Sequence, residues 1–229
     1  MRARLHLVNR LRPHVGYSYL RVSSDEGADP NLGLGPEGRG AVTSPANIRY
    51  ASSVLEGGLA AATDAETTRD EPPLPSLQQL HDALLAHIEE RRDDEIDRGV
   101  SLVGPHRDDL EIRLSDFPAK GYASHGESWS LALALRLGSY DLLTIEEGDL
   151  GDGEPILILD DVFSELDAHR RERLGRIIKG AAQVLITTAN DDDIPHSIGD
   201  DVHVVDVVKG SATVREGGPR GARDTGTTW

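Results

Sequence analysis

Two adjacent aspartates end the most hydrophobic run of the sequence. Residues 156–161 read ILILDD, so Asp160 and Asp161 follow four consecutive apolar residues. Two carboxylates this close together repel each other unless a positive charge lies in front of them. A continuous apolar run is typical of a buried parallel strand, and open α/β sheets bind their ligands at the carboxyl ends of such strands. The pattern therefore predicts a cation site at a strand end.

The two aspartates fit two different tasks in phosphate chemistry. Asp160 would hold a hydrated Mg²⁺ bound to nucleotide phosphates, and Asp161 would polarise an attacking water molecule. This is the Walker B arrangement of nucleotide hydrolases. The alternative is a strand end that carries two solvated acids, and the short stretch by itself leaves both interpretations open.

A second stretch, upstream, joins a turn of small residues to a buried helix. Ser124, Gly126 and Glu127 come directly before an almost wholly apolar segment that extends to about Ile145 and predicts a helix. Small residues at such a place let backbone N–H groups and a serine hydroxyl approach a phosphate at the positive end of the helix dipole. This turn is therefore a second candidate for phosphate contact.

Strands and helices alternate in the second half of the chain. The sequence predicts strands at 100–104, 110–114, 155–159 and 183–187, and helices at 127–145 and 165–179. Ser164 and Asp167 fit an N-cap with an acid at the third helical position, and residues 202–216 predict a hairpin about Lys209 and Gly210. Continuous apolar strands separated by helices predict an α/β fold with a mostly parallel sheet covered on both faces.

The first half of the chain predicts a helical region with weaker strands. Apolar spacing predicts a helix over residues 2–20, with a break or kink at Pro13, and an amphipathic helix from Ser76 to Arg98. Between them, NIRYASSVL at 47–55 alternates like a strand. A long helix bracketed by weak strands is typical of an arm-like unit.

The composition limits the classes of function. The chain of 229 residues has no cysteine, which excludes disulfides, zinc ribbons and thiol nucleophiles. A formal net charge of −16 argues against a general nucleic-acid coat, because polyanion binding rests on lysine and arginine. No run reaches the roughly 18 apolar residues of a membrane span and no signal peptide is present, so we expect a cytoplasmic protein.

The order of these motifs resembles that of a known ATPase class. SHGES, ILILDD and SELD resemble the signature motif, Walker B motif and D-loop of an ABC-type ATPase head. GPHRDDL together with PAKGYASHGESWSLALALRL is similar to the RecF family of bacterial recombination and repair proteins. The likeness is close from Gly99 to about Thr188 and looser over residues 1–98. It implies a helical arm at 1–98 and a partial ABC-type head at 99–216. Residues 25–45, 57–75 and 217–229 match nothing in that family, and their low-complexity composition predicts two disordered inserts and a disordered tail.

The resemblance implies ATP and Mg²⁺ as ligands, with Asp160 on the metal and Asp161 as the catalytic carboxylate. It also implies an ATP-dependent homodimer that acts at gapped or single-stranded DNA with RecR and RecO and promotes recombinase loading. The signature residues would contact the nucleotide of the partner subunit, and the D-loop would line the dimer seam. These residues are Ser124, His125, Gly126 and Glu127, and then Ser164, Glu165, Leu166 and Asp167.

Two features depart from the ABC pattern. No Gly-x-x-x-x-Gly-Lys-Ser/Thr phosphate loop occurs in the 229 residues, and the glycine-rich stretch GLGPEGRG at 33–40 lacks the Lys-Ser/Thr. Thr188 stands at the switch position, where many ABC ATPases carry a histidine. We therefore expect the chain to be the C-terminal part of a RecF-type protein whose Walker A lobe lies outside it.

The basic start of the chain is the candidate DNA contact. The first 24 residues contain no acid, and Arg2, Arg4, Arg10 and Arg12 would contribute to a local basic face. The alternative is that these arginines pair with the acids at 93–97 and brace the arm.

Two other functions stay open. The chain would act without catalysis if it only completed a partner's ATP site or bound RecR-like proteins. A metal-dependent phosphohydrolase is the minor alternative, because GPHRDD offers His106, Asp108 and Asp109 beside the two strand-end aspartates.

Overall fold

The computed structural model describes residues 1–23, 44–55, 74–150, 153–199 and 202–215. The inserts expected at 25–45 and 57–75 lie almost wholly outside these ranges, and the tail expected at 217–229 lies wholly outside them. Within the described ranges, no helix is long and apolar enough to cross a membrane.

The chain divides into two compact units, and the division falls inside two long helices. Unit 1 comprises Met1–Leu20 and Asp25–Leu142, and unit 2 comprises Arg21–Ser24 and Leu143–Trp229. The domain boundary expected between residues 98 and 99 falls within unit 1 and stays a prediction.

Unit 1 combines long helices with a small antiparallel sheet. Strands β1 and β2 pair with Ile48 opposite Ile112, and β3 continues the sheet beyond β2. The buried core joins α1, β1, α2 and α4. The helices are α1 (Arg2–Ser23), α2 (Leu77–Arg98), the short α3 (Ala119–Tyr122) and α4 (His125–Leu150), and the strands are β1 (Ala46–Ala51), β2 (Asp109–Leu114) and β3 (Phe117–Pro118).

Helix α1 passes through Pro13 as one helix of 22 residues. Of the two outcomes expected at Pro13, the break is therefore wrong, and the kink stays a prediction. A proline inside a helix removes one backbone hydrogen bond and costs about 3 kcal/mol or more. Leu11 and Val15, on either side of Pro13, are both buried in the core of unit 1. Burial of this face stabilises the helix enough to offset the missing hydrogen bond.

Helices α1 and α4 approach each other closely at Gly138. A Cβ atom at this position would lie 2.9 Å from the backbone carbon of His14 and the backbone nitrogen of Val15. Only a residue without a side chain fits there. The contact fixes α4, whose first turn carries the signature residues, against α1.

Residues 100–104 form no strand, contrary to the sequence prediction. The carboxylate of Glu95, near the end of α2, accepts the N–H groups of Leu102 at 2.6 Å and Val103 at 3.2 Å. These two amides are therefore not available for a strand ladder. The hydrogen bond from Leu102 is the main cause that holds the pKa of Glu95 below its ordinary value.

The GPHRDD segment ties α1, β1 and the residues after α2 together. Arg4 of α1 donates to the carbonyl oxygen of Pro105 at 2.6 Å, and the Tyr50 hydroxyl of β1 donates to the Asp108 carboxylate. The Arg107 guanidinium donates twice to the carbonyl oxygen of Ser101, at 2.7 and 2.9 Å. The segment therefore has a structural role that its sequence did not reveal.

Unit 2 contains the predicted parallel strand pair. Strands β4 and β5 pair in parallel with Asp160 opposite Thr187, as the apolar runs predicted. Strands β6 and β7 form the predicted hairpin, and Lys209 and Gly210 both adopt positive φ at its turn. The elements are β4 (Ile156–Asp160), a 3₁₀ turn (Val162–Glu165), α5 (Ala168–Ile178), β5 (Gln183–Thr187), β6 (Val204–Val208) and β7 (Ser211–Arg215).

One face of the β4–β5 pair is open in the part of the chain that the structure describes. Leu157 and Leu159 are buried, whereas Ile156 and Ile158 on the opposite face are 53% and 64% exposed. Leu185 of β5 is 48% exposed. The sequence predicted a sheet covered on both faces, and the described residues cover one face only. The side chains of a strand point alternately to the two faces, so every second residue of β4 is exposed.

Arg215 links the hairpin to the segment after β5. The side chain is buried and donates to the carboxylates of Asp191, at 3.0 and 3.3 Å, and Asp206, at 3.0 Å. These hydrogen bonds raise the pKa of the Arg215 guanidinium, and the bond to Asp206 has the strongest influence. The segment that leaves β5 is thereby held in place.

The Tyr50–Asp108 pair predicts a loss of stability at high pH. Burial, together with the hydrogen bond to Asp108, raises the pKa of Tyr50 from about 10 to about 12. The folded state therefore favours the protonated phenol of Tyr50. The contribution of this phenol to the stability of the fold is complete below pH 10 and is lost between about pH 10 and 12. One pKa unit corresponds to about 1.4 kcal/mol, so we expect a loss of about 3 kcal/mol.

Tyr50→Phe should remove this part of the pH dependence, which urea unfolding followed by circular dichroism at pH 9 to 12 would measure. Tyr122→Phe, at an exposed tyrosine, is the matched control and should behave as the parent. Equal pH dependence of parent and Tyr50→Phe would contradict the assignment.

Candidate functional site

The two strand-end aspartates lie where the sequence placed them. Asp160 is the last residue of β4 and Asp161 follows it, and both side chains are exposed. Asp161 has φ 52° and ψ 24°, the left-handed conformation that residues other than glycine rarely adopt. A strained residue of this kind is typical of functional sites.

Thr187, the last residue of β5, connects the two aspartates. Its hydroxyl donates to the Asp160 carboxylate and accepts the backbone N–H of Asp161 at 3.2 Å. The same N–H also lies 3.1 Å from the Thr187 carbonyl oxygen. Sequence reasoning missed this residue.

Thr188, expected at the switch position, makes different contacts. Its hydroxyl donates to the carbonyl oxygen of Asn190 at 3.0 Å and accepts the Asn190 N–H at 3.3 Å. The structure therefore brings Thr187, not Thr188, to the strand-end carboxylates. The signal was present in the sequence, because parallel pairing of the two apolar runs places the last residue of one beside the last residue of the other.

The D-loop residues follow directly after the aspartates. The Ser164 hydroxyl donates to the carbonyl oxygen of Asp161 at 2.8 Å, and Leu166 is buried. The N-cap of α5 is Asp167, which accepts the N–H of Arg170 at 2.9 Å, so the expectation of Ser164 as the cap is wrong. Ser164 lies inside the 3₁₀ turn Val162–Glu165, which ends before α5 begins at Ala168. Ser164 and Glu165 are exposed, and their place at a dimer seam stays a prediction.

The signature residues form the start of α4 in unit 1. The Ser124 hydroxyl accepts the N–H of Glu127 at 3.3 Å, and the Glu127 carboxylate accepts the backbone N–H of Ser124 at 2.8 Å. This reciprocal pair is a capping box, and the Ser-x-x-Glu pattern was visible in the sequence. His125 is exposed and Gly126 is half-buried. Ser124 and Glu127 thus have a structural task, and their contact with a nucleotide stays a prediction.

The arginines at the start of the chain hold backbone carbonyl groups. Arg2 donates to Pro75 at 3.2 Å, and Arg12 donates to Ile48 at 2.9 Å. Arg4 binds Pro105 as described above, and Arg10 also has an interaction partner. These contacts favour a bracing role through carbonyl oxygens, and a DNA contact of the same residues stays a prediction.

The residues offered for a phosphohydrolase site have other partners. Asp108 accepts the Tyr50 hydroxyl, and the Asp109 carboxylate accepts the N–H of Leu110 at 2.8 Å. Among the described residues, no three His, Asp or Glu side chains form a group that could hold a metal ion.

The strand end nevertheless fits a hydrated Mg²⁺. This ion keeps several water ligands and takes only one or two carboxylates from the protein, with the rest supplied by substrate phosphates. The exposed carboxylates of Asp160 and Asp161 provide that donor set. For ATP the 229 residues provide only part of a site, because the sequence contains no phosphate loop and the stretch at 33–40 lies outside the described residues.

Comparison with known proteins gives one consistent result. The chain is 48% identical over 196 residues to the DNA replication and repair protein RecF of Beutenbergia cavernae, which covers 86% of this chain and 45% of that protein. It is 44% identical over 211 residues to the protein of the same name from Kineococcus radiotolerans. That match covers 92% of this chain and 48% of the Kineococcus protein. No family model matches the chain.

Solved structures give the fold. The structure described as the recombination mediator protein RecF-ATPrS in the RecFOR pathway matches with a TM-score of 0.59 and 19% identity, over 93% of this chain and 46% of that one. The corresponding RecF-ATP structure matches with the same TM-score and identity.

Fold and site together define the class: the chain has an α/β fold with a helical region, as the sequence predicted, and this fold matches part of a RecF structure. Over 86% and 92% of its own length, in these two comparisons, the chain matches proteins of the RecF family. It spans about half the length of the curated relatives that it matches.

The capping box gives a direct test of the start of α4. Ser124→Ala removes the cap and should lower the free energy of unfolding by about 1 kcal/mol, as measured by urea unfolding. Ser128→Ala, four residues further along the same helix and also exposed, is the control and should change stability by less than about 0.5 kcal/mol. Equal effects of the two substitutions would contradict the capping role.

Proposed function

We propose that this chain carries the Walker B and signature portion of a RecF-type ATPase, a DNA replication and repair protein that binds DNA under the control of ATP. The observation that carries the proposal is the pair of exposed carboxylates at the end of a parallel strand, in a chain 48% identical to a named RecF. Ligands of open α/β sheets bind at this edge.

Each residue of the strand end receives one task. Asp160 would hold Mg²⁺, which supplies positive charge against the phosphate oxygens when it is bound. Asp161 would accept a hydrogen bond from the attacking water and so increase its nucleophilicity. Its exposed carboxylate is accessible to water, which supports this assignment.

Dimer formation would complete the site. Ser124, His125, Gly126 and Glu127 would contact the nucleotide held by a second subunit, and the D-loop from Ser164 to Asp167 would line the seam between subunits. The start of a helix of 26 residues favours a negatively charged ligand, which supports the first assignment. The closed dimer would act at gapped or single-stranded DNA with RecR and RecO and promote recombinase loading.

The open face of the β4–β5 pair supports an ATPase head in which another protein segment covers this face. Parallel strands are normally covered on both faces, and Ile156 and Ile158 on this face are more than half exposed. We expect the face to pack against another segment of the RecF-type protein. A chain that only completes a partner's ATP site, without turnover, is the second candidate, favoured by the lack of a phosphate loop in these residues.

Asp161→Asn tests the catalytic assignment. The substitution should be made in a joined protein, in which this chain replaces the matching 196 residues of the Beutenbergia cavernae relative. We expect ATP binding within about twofold of the parent and a fall in turnover of at least about 100-fold, because only the charge that activates water is lost. Titration with a fluorescent ATP analogue and phosphate release measure the two quantities.

Turnover by the Asn variant equal to that of the parent would remove Asp161 from the mechanism. No turnover by the joined protein itself, with intact ATP binding, would favour the non-catalytic candidate.

Ser124→Arg tests the signature assignment in the same joined protein. ATP binding to each monomer should persist, and ATP-dependent dimer formation should be lost, because a bulky side chain replaces a small one that faces the second nucleotide. Size exclusion with and without ATP measures the change. Ser124→Ala, which loses the same helix cap, controls for stability and should retain dimer formation in part. Equal dimer formation by the Arg and Ala variants would contradict the assignment.

A further inference from the structure

The Thr187 hydroxyl acts both as a hydrogen-bond donor and as an acceptor towards the two Walker B aspartates. The O–H donates to the Asp160 carboxylate, and the oxygen accepts the backbone N–H of Asp161 at 3.2 Å. We propose that Thr187 is a positioning residue that holds both carboxylates in their working geometry. The proposal rests on the proposed ATPase function and adds a residue to its site.

Thr187 holds the backbone of Asp161. The left-handed conformation of Asp161, with φ 52°, costs free energy for any residue with a Cβ atom. The structure offsets this cost from both sides of the residue. Thr187 binds the N–H group through its hydroxyl and its carbonyl oxygen, and Ser164 binds the C=O group at 2.8 Å. These contacts determine where the Asp161 side chain begins.

Thr187 also restrains the side chain of Asp160. The last torsion of an aspartate has broad preferences, so a free carboxylate turns easily about it. A hydrogen bond from Thr187 to one oxygen restricts this rotation. Groups that orient metal ligands in this way matter, since their substitution commonly costs about 10–100-fold in metal affinity or activity.

The competing explanation is that Thr187 is only a strand residue. Threonine is frequent in strands because its branched side chain suits the pleated surface. Valine would serve that purpose equally well and has nearly the same shape, but it has no hydroxyl. Serine keeps the hydroxyl and loses the methyl group. Comparing Thr187→Val with Thr187→Ser therefore separates positioning from strand formation.

The first experiment uses the 229-residue chain and reads the conformation of Asp161 directly. A positive φ brings the amide hydrogen close to the Hα of the same residue, which gives a strong intraresidue nuclear Overhauser effect. We expect this signal to weaken in Thr187→Val and to persist in Thr187→Ser. Val184→Ala, in the same strand, controls for general loss of stability and should keep the signal. An unchanged signal in Thr187→Val would overturn the proposal.

The second experiment measures ATP turnover of the joined protein. We expect Thr187→Val to lower kcat by about 10–100-fold with KM for ATP changed by less than about threefold, and Thr187→Ser to stay within about threefold of the parent. Thr187→Val with parental kcat, in a parent that turns over ATP, would overturn the proposal. A parent without turnover would refute the ATPase function instead, and the conformation of Asp161 would then decide the role of Thr187.

Discussion

The parallel pairing of β4 with β5 is the constraint on which the candidate site depends. This register sets Asp160 opposite Thr187, so two strands end at the same edge with a carboxylate and a hydroxyl in contact. The next residue, Asp161, then leaves the sheet in a left-handed conformation that the end of β5 and Ser164 hold in place. A shift of one residue in the pairing would separate these groups and turn the side chains to opposite faces.

The remainder of each unit holds polar segments through buried or half-buried hydrogen bonds. In unit 1, Tyr50 binds the GPHRDD segment through Asp108, and in unit 2, Arg215 binds Asp191 and Asp206. Such charged and polar partners are costly to leave unpaired, because a buried group without a partner loses its hydration. These hydrogen bonds therefore select one arrangement of the loops. The apolar cores alone would be compatible with several loop arrangements.

Much of the fold could be predicted from the sequence, because the spacing of apolar residues along a segment determines whether it forms a helix or a strand. The runs ILIL and VLI predicted the parallel pair, and the apolar spacing from Ser76 to Arg98 predicted α2. Tertiary effects explain the errors: packing stabilises α1 through Pro13, and Glu95 takes the amides that a strand at 100–104 would need. Thr187 was missed because it lies 27 positions from Asp160 and comes beside it only through the parallel register of β4 and β5, which sequence reasoning had not set.

The central claim is that the end of the β4–β5 pair holds the divalent cation of a nucleotide site. Mn²⁺ in place of Mg²⁺ tests it most directly, because its unpaired electrons broaden the NMR signals of nearby nuclei. In the joined protein with a non-hydrolysable ATP analogue, Mn²⁺ should selectively broaden the backbone amide signals of Asp160, Asp161 and Thr187. Broadening that is absent from these three residues, or centred on another acidic segment, would contradict the claim.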